Sequence, residues 1–167
     1  MKEDMEECFL ECIAEYKDDF YRLAFSYVKT QTDALDIIQE SIQKALLHLN
    51  SIKKKEAIKS WFYKIVVRTS LDFLRKKKKV TLMDHETMGN LNTYTEDQYE
   101  NIDLKEALER LPTKYKTVII LRYFEELSLQ EISYIINRNL STTKTRLYKA
   151  LKLLRLDISE EDLHESK

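Results

Sequence analysis

The chain has 167 residues, 43% hydrophobic and 34% charged, which is enough to bury a core in one ordinary domain or two small ones and too apolar for a disordered tail. It carries one glycine (Gly89) and one proline (Pro112) where average usage gives about twelve and eight, and it has no Asn-Gly or Asp-Gly pair between alternating apolar runs, so hairpins lack support and an all-α fold is predicted. The formal net charge is −1; the longest apolar run, Val118 to Leu121, falls far short of the ~20 residues of a membrane span, and the acidic start MKEDMEE is no signal peptide, so a cytoplasmic protein is expected.

Apolar residues recur at helical spacing from Phe9 to Val28. Cys8 and Cys12 share one face of that helix, but two cysteines without a nearby histidine make an incomplete metal site, and packed or idle thiols are the expectation. Thr32 is the candidate cap of a second helix, with Leu35, Ile38, Ile42, Leu46 and Leu49 as its inner face and Asp36, Gln39, Glu40 and Gln43 as a polar strip opposite. The Lys-rich stretch NSIKKKEAIK (50–59) reads as a loop. A third helix, from about Ser60 to Lys79, buries some of Trp61, Phe62, Ile65, Val66 and Leu74 and exposes Lys64, Arg68, Asp72 and the run Arg75 to Lys79. Aromatics beside a cationic loop suit a core and equally suit single-stranded nucleic acid, whose bases stack on rings while cations follow the backbone.

Residues 80–103 hold the single glycine, six acids and no Lys or Arg, and read as a flexible acidic linker. The predicted organisation is therefore two small helical domains, 1–79 and 104–156, joined by that linker and followed by an acidic tail, 157–167. Ser128-Leu129-Gln130-Glu131 fits a capping box, Leu129, Ile132, Ile135 and Ile136 form the inner face of a short helix, and Asn137 is suited to the left-handed conformation that ends it. After a four-residue turn, Ser141 or Thr142 caps a new helix with Thr143, Leu147, Ala150, Leu151 and Leu154 inward and Lys144, Thr145, Tyr148, Lys149 and Lys152 outward. A second helix lined with cations and hydroxyls is the helix-turn-helix arrangement that enters the DNA major groove. Lys144 and Lys149 are then donors to guanine or phosphate, Thr145 and Tyr148 reach base edges, and the backbone amides of Ser141 to Thr143 are placed to hold a phosphate.

The small net charge hides an alternation along the chain. Residues 1–52 carry five bases against eleven acids, 53–79 carry eleven against two, 104–156 carry eleven against five, and 157–167 carry one against five. Two basic blocks set apart by an acidic spacer point to nucleic acid. His48, His85 and His164 are scattered without a nucleophile or carboxylate partner set, so no catalysis, cofactor, metal or small-molecule substrate is expected.

Four stretches taken together, FYRLAFSYVK (20–29), DALDIIQESI (33–42), SWFYKIVVRTSLDFLRK (60–76) and ALERLPTKYKTVIILRYFEELSLQEIS running on through TTKTRLYKALKLLR, resemble the extracytoplasmic-function (ECF) sigma factors of the sigma-70 family, most of all the sigma-V-like subgroup, over about residues 9–155. The resemblance implies a specificity subunit of RNA polymerase, serving a cell-envelope stress response. By that likeness Asp36, Gln39 and Glu40 dock on a coiled coil of the beta-prime subunit, and Lys53, Lys54, Lys55, Trp61, Lys64, Arg68, Arg75 and Lys76 take up the melted minus-ten strand with a flipped base. Ser141, Thr142, Lys144, Thr145, Arg146, Tyr148, Lys149 and Lys152 meet the minus-35 element while the second domain grips the flap of the beta subunit. The partners implied are core RNA polymerase, promoter DNA and a membrane-anchored anti-sigma protein that restrains the factor. Two rival readings are a freestanding helix-turn-helix regulator that binds operators without polymerase and a thiol or metal sensor built on Cys8 and Cys12.

Overall fold

The computed structural model describes residues 2–83 and 99–157, with side chains described from Asp4 to Val80 and from Leu104 to Arg155. Those residues are helical or lie in short turns, as the near absence of glycine and proline predicts. They fall into two compact units, one built on the first three helices and the other on helices beyond residue 98.

In the first unit, α1 (Lys2–Val28), α2 (Gln31–Leu47) and α3 (Ile58–Met83) pack against one another in all three pairings. α1 bends at Tyr16, whose φ of −111° and ψ of 19° leave the helical region, and the Lys59 ammonium sits 3.8 Å above the ring at that bend. The core is aromatic: Phe20 meets Phe62 at 4.7 Å and Tyr63 at 4.8 Å between ring centroids, and Phe9 meets Phe62 at 5.4 Å, all edge to face. Each such pair contributes about 0.5–1.5 kcal/mol beyond the area it buries, which fixes the angle at which α1 and α3 meet.

The second helix differs from expectation in start and in phase. Thr30, not Thr32, is the cap, its Oγ1 accepting from the Asp33 backbone N–H at 3.3 Å. The buried face is Ala34, Ile37, Ser41 and Ala45, while Leu35 and Leu46 are exposed and Ile38 and Ile42 are half-covered. Small side chains let the α2 backbone approach its neighbours closely, so the larger aliphatics are turned outward. Leu49 is buried as expected, but on a 3-10 turn (Leu49–Ser51) beyond the helix. A second 3-10 turn, Lys55–Ala57, completes the Lys-rich connection before α3.

The second unit comprises α4 (Tyr99–Arg110), α5 (Thr113–Ile119), α6 (Leu129–Ile136) and α7 (Leu140–Asp157). Pro112 starts α5, where its missing N–H costs nothing. α5 continues into one π-helical turn, Ile120–Phe124, closed by a bond from Glu125 N–H to the Ile120 carbonyl at 3.0 Å. Arg122 then donates to the Leu127 carbonyl at 3.0 Å and holds the reversed chain in place. Tyr115, Val118 and Leu121 are buried, and α5 packs against α7. Both ends of the stretch read as a linker are helical, since α3 reaches Met83 and α4 begins at Tyr99; residues 84–98 lie outside the described residues, as do 158–167 of the acidic tail.

Candidate nucleic-acid interface

The hairpin of α6 and α7 is set by local hydrogen bonds. Ser128 Oγ accepts from Glu131 N–H at 3.1 Å and the Glu131 carboxylate accepts from Ser128 N–H at 2.8 Å, the reciprocal capping box expected from the sequence. α6 ends at Asn137 with φ of 57°, and the bonds from Arg138 N–H to Ser133 and from Asn137 N–H to Tyr134 carbonyls, 3.0 and 3.3 Å, make a Schellman stop. The link to α7 is three residues rather than four, because Leu140 already belongs to the helix.

Asn139, rather than Ser141 or Thr142, caps α7: its Oδ1 accepts from Thr142 N–H at 2.7 Å and its carbonyl accepts from Thr143 N–H at 3.0 Å. Of the three amides from Ser141 to Thr143 expected to hold a phosphate, those of Thr142 and Thr143 are therefore engaged by Asn139. Thr143 is fully buried and fixes the phase of the helix, its Oγ1 donating to the Asn139 carbonyl at 2.9 Å. In that phase Ser141, Lys144, Thr145, Tyr148, Lys149 and Lys152 are all exposed, Tyr148 to 69%, while Thr142 and Arg146 are half-covered at the edge. Thr145 donates to the Ser141 carbonyl at 3.0 Å, which leaves its oxygen free to accept from a base or bound water.

Lys149 leans toward α5. Its Nζ stands 5.7 Å from the centroid of the Tyr115 ring on α5, and that of Lys114 stands 5.0 Å from the same ring. A hydrogen bond from Lys149 and the two positive charges hold the Tyr115 hydroxyl below its ordinary value, although burial pushes the other way. Sequence reading missed Lys114; the only signal was its place one residue before an aromatic at the start of a helix.

In the first unit the cations expected at the minus-ten strand spread over two elements. Lys53, Lys54 and Lys55 are exposed on the connection between α2 and α3, and Lys55 is paired with Asp4 at 2.8 Å. That bond holds the Asp4 carboxyl below its usual range. Along α3, Arg68, Arg75 and Lys76 are exposed and Lys64 is half-covered, with Arg75 3.6 Å from Asp72. Trp61 is 8% exposed and packs edge-on against Phe9 at 6.3 Å, so most of its ring serves the core. Lys44, absent from the expected set, reaches across from α2 to donate to Thr69 Oγ1 on α3 at 3.3 Å.

The strip expected to meet a protein partner lies on α2. Asp36 and Gln39 are exposed, and Glu40 is half-covered and paired with Lys44 at 3.2 Å. Exposed Leu35, Leu46 and Leu47, the last to 78%, lie on the same helix.

Cys8 and Cys12 are half-buried on α1. Burial pushes the Cys12 thiol up to about 11, with Glu15 adding to the rise and Lys59 opposing it. A thiol so seldom ionised is a poor metal ligand and a poor nucleophile, which speaks against the sensor reading.

Residues 12–80 match the family described as Sigma-70 region 2, and residues 102–154 match Sigma-70, region 4. The chain is 56% identical to RNA polymerase sigma factor SigV of Bacillus subtilis over 97% of its own length and 98% of that protein's. It is 30% identical to ECF RNA polymerase sigma factor SigW of the same organism, over 96% of this chain and 94% of that one. Among solved structures it is similar to the sigma factor RpoE in complex with the anti-sigma factor NepR from Bartonella quintana, with a TM-score of 0.71 and 21% identity over 94% of this chain and 97% of that chain. A chain helical throughout its two described units, which carry the two sigma-70 signatures in order and align with these relatives over nearly the whole length, belongs to the ECF group of sigma-70 RNA polymerase sigma factors, which are not themselves enzymes.

Proposed function

We propose that the chain binds core RNA polymerase through α2 and directs initiation at promoters read by both of its units, in a cell-envelope stress response. The observation that carries this reading is the exposed face of α7, cationic and free of acids among its described side chains, held in phase by a buried threonine and an asparagine cap behind a bonded turn. Phosphate contacts give affinity and salt dependence, and the few outward side chains that reach base edges give sequence choice.

In this reading residues 1–79 form the polymerase-binding and minus-ten module, 104–156 the minus-35 module, and 80–103 the tether between them. Asp36, Gln39 and Glu40 supply the polar part of the polymerase contact and Leu35, Leu46 and Leu47 the apolar part. Lys53 to Lys55, Lys64, Arg68, Arg75 and Lys76 follow the melted strand, while the exposed edge of Trp61 meets a base. A membrane-anchored anti-sigma protein is the expected restraint, a view supported by the sigma factor of like fold that was solved with its anti-sigma factor.

The test is transcription in vitro with core polymerase and this chain on a promoter library, with sequencing of the start sites. Expected is a set of starts that share two elements at fixed spacing and that disappears without the chain. Uniform or absent starts on every template at low ionic strength would overturn the reading.

A further inference from the structure

Two cations from different helices converge on one buried ring in the second unit. Tyr115 on α5 is only 6% exposed, yet the ammonium groups of its sequence neighbour Lys114 and of Lys149 on α7 both lie within 6 Å of its centroid. Both lysines are exposed, and neither is paired with an acid among the described residues. Bringing two like charges together is unfavourable unless something offsets it. The ring face and phenolic oxygen do so in part, and an anion between the two cations would do so fully.

The lean of Lys149 toward α5 also separates it from its neighbours. Tyr148, also exposed on α7, is the most exposed large hydrophobic side chain described on that helix, at 69%. Lys149 leans toward α5, and on a groove-bound α7 a side chain on that flank would meet the rim of the groove and not its floor. Rims are lined by phosphates, which take a lysine as a point charge and carry no sequence information.

We propose that Lys114 and Lys149, anchored on Tyr115, form a clamp for a single backbone phosphate of the minus-35 duplex, and that Lys149 takes no part in base reading. This rests on the promoter-binding reading above and adds Lys114 as a binding residue and Tyr115 as the positioning residue behind it.

The experiment is equilibrium binding of the full chain, assembled with core polymerase, to a fluorescent promoter duplex over a salt series. It uses a matched minus-35 element and one with its bases exchanged. Lys114→Ala and Lys149→Ala should each weaken binding roughly tenfold, as expected for loss of a charged hydrogen bond. Each should flatten the log–log salt dependence by about 0.9, the effect of one phosphate. The double variant should flatten it by that same amount and not twice as much, because the two lysines share one phosphate. Tyr115→Phe keeps the buried ring and the helicity seen by circular dichroism, and should reproduce part of the loss equally on both duplexes. An unchanged salt slope, a doubled change in the double variant, or a loss confined to the matched element would each overturn the clamp. Wild-type assembly that binds no promoter at low salt would instead remove the promoter reading itself.

Discussion

Asn139 secures the start of α7 with its side-chain oxygen and its own carbonyl. Replacing it with alanine should cost about 1 kcal/mol, the usual worth of such a cap, and lower the urea midpoint while leaving the burial of Thr143 intact. The run Asn139-Leu140-Ser141-Thr142-Thr143 offers four residues of similar capping strength, so local preference could not choose among them; the burial of Thr143 chose, and burial is a tertiary fact. The capping box at Ser128 was legible from the Ser-Leu-Gln-Glu spacing, and the left-handed Asn137 from its place just after the last apolar residue of α6. Cys12 gives a second residue-scale prediction. With its thiol at about 11 against an ordinary 9.0, its thiolate at pH 8 is about a hundredfold scarcer than in the unfolded chain. In a Cys8→Ser background, iodoacetamide should therefore label Cys12 about a hundredfold more slowly in buffer than in urea. The sign follows for stability too: the folded form holds this proton more tightly, so the contribution is intact below pH 9 and is lost as the pH rises toward 11.

At the level of elements, helix existence was plain from the 3.6-residue period, but the buried face of α2 was not. Weighting the helix by side-chain size points to Leu35, Ile38, Ile42 and Leu46, whereas the structure buries Ala34, Ile37, Ser41 and Ala45. Hydrophobicity says which residues avoid water; it does not say which are small enough for two helix axes to close up. The outward leucines beside Asp36 and Gln39 now have a use if a partner covers them. Asp36→Arg, which touches nothing buried, should leave thermal stability within about 0.5 kcal/mol and abolish co-purification with core polymerase. Retained co-purification would place the polymerase contact elsewhere. In the third helix the aromatic cluster was expected in outline, but the share of Trp61 given to the core could not be read from spacing, since the same rings suit stacking with bases.

On the scale of the whole molecule, the proposed reading gives each unit a small promoter interface of its own, so tight binding would require both to engage at once. Inserting five base pairs between the two promoter elements turns them about half a helical turn apart and should abolish specific initiation, while loss of either element alone should leave residual activity. Run-off transcription on the two templates checks this. The acidic spacing between the basic blocks was legible from charge alone, while the order of the two modules came with the family resemblance; the Lys114–Tyr115–Lys149 cluster was not legible, because it joins residues thirty-five apart in sequence through the packing of α5 and α7. The chain also spends conformational energy where a more robust sequence would not. Glu126 closes the π-helical turn with φ of 57°. A left-handed residue other than glycine costs about 1–2 kcal/mol, and glycine's added freedom when unfolded takes back about 0.5–1. Glu126→Gly should therefore raise the melting point by a few degrees in differential scanning calorimetry, a simple route to a hardier preparation for anyone who needs this factor to survive storage or heat.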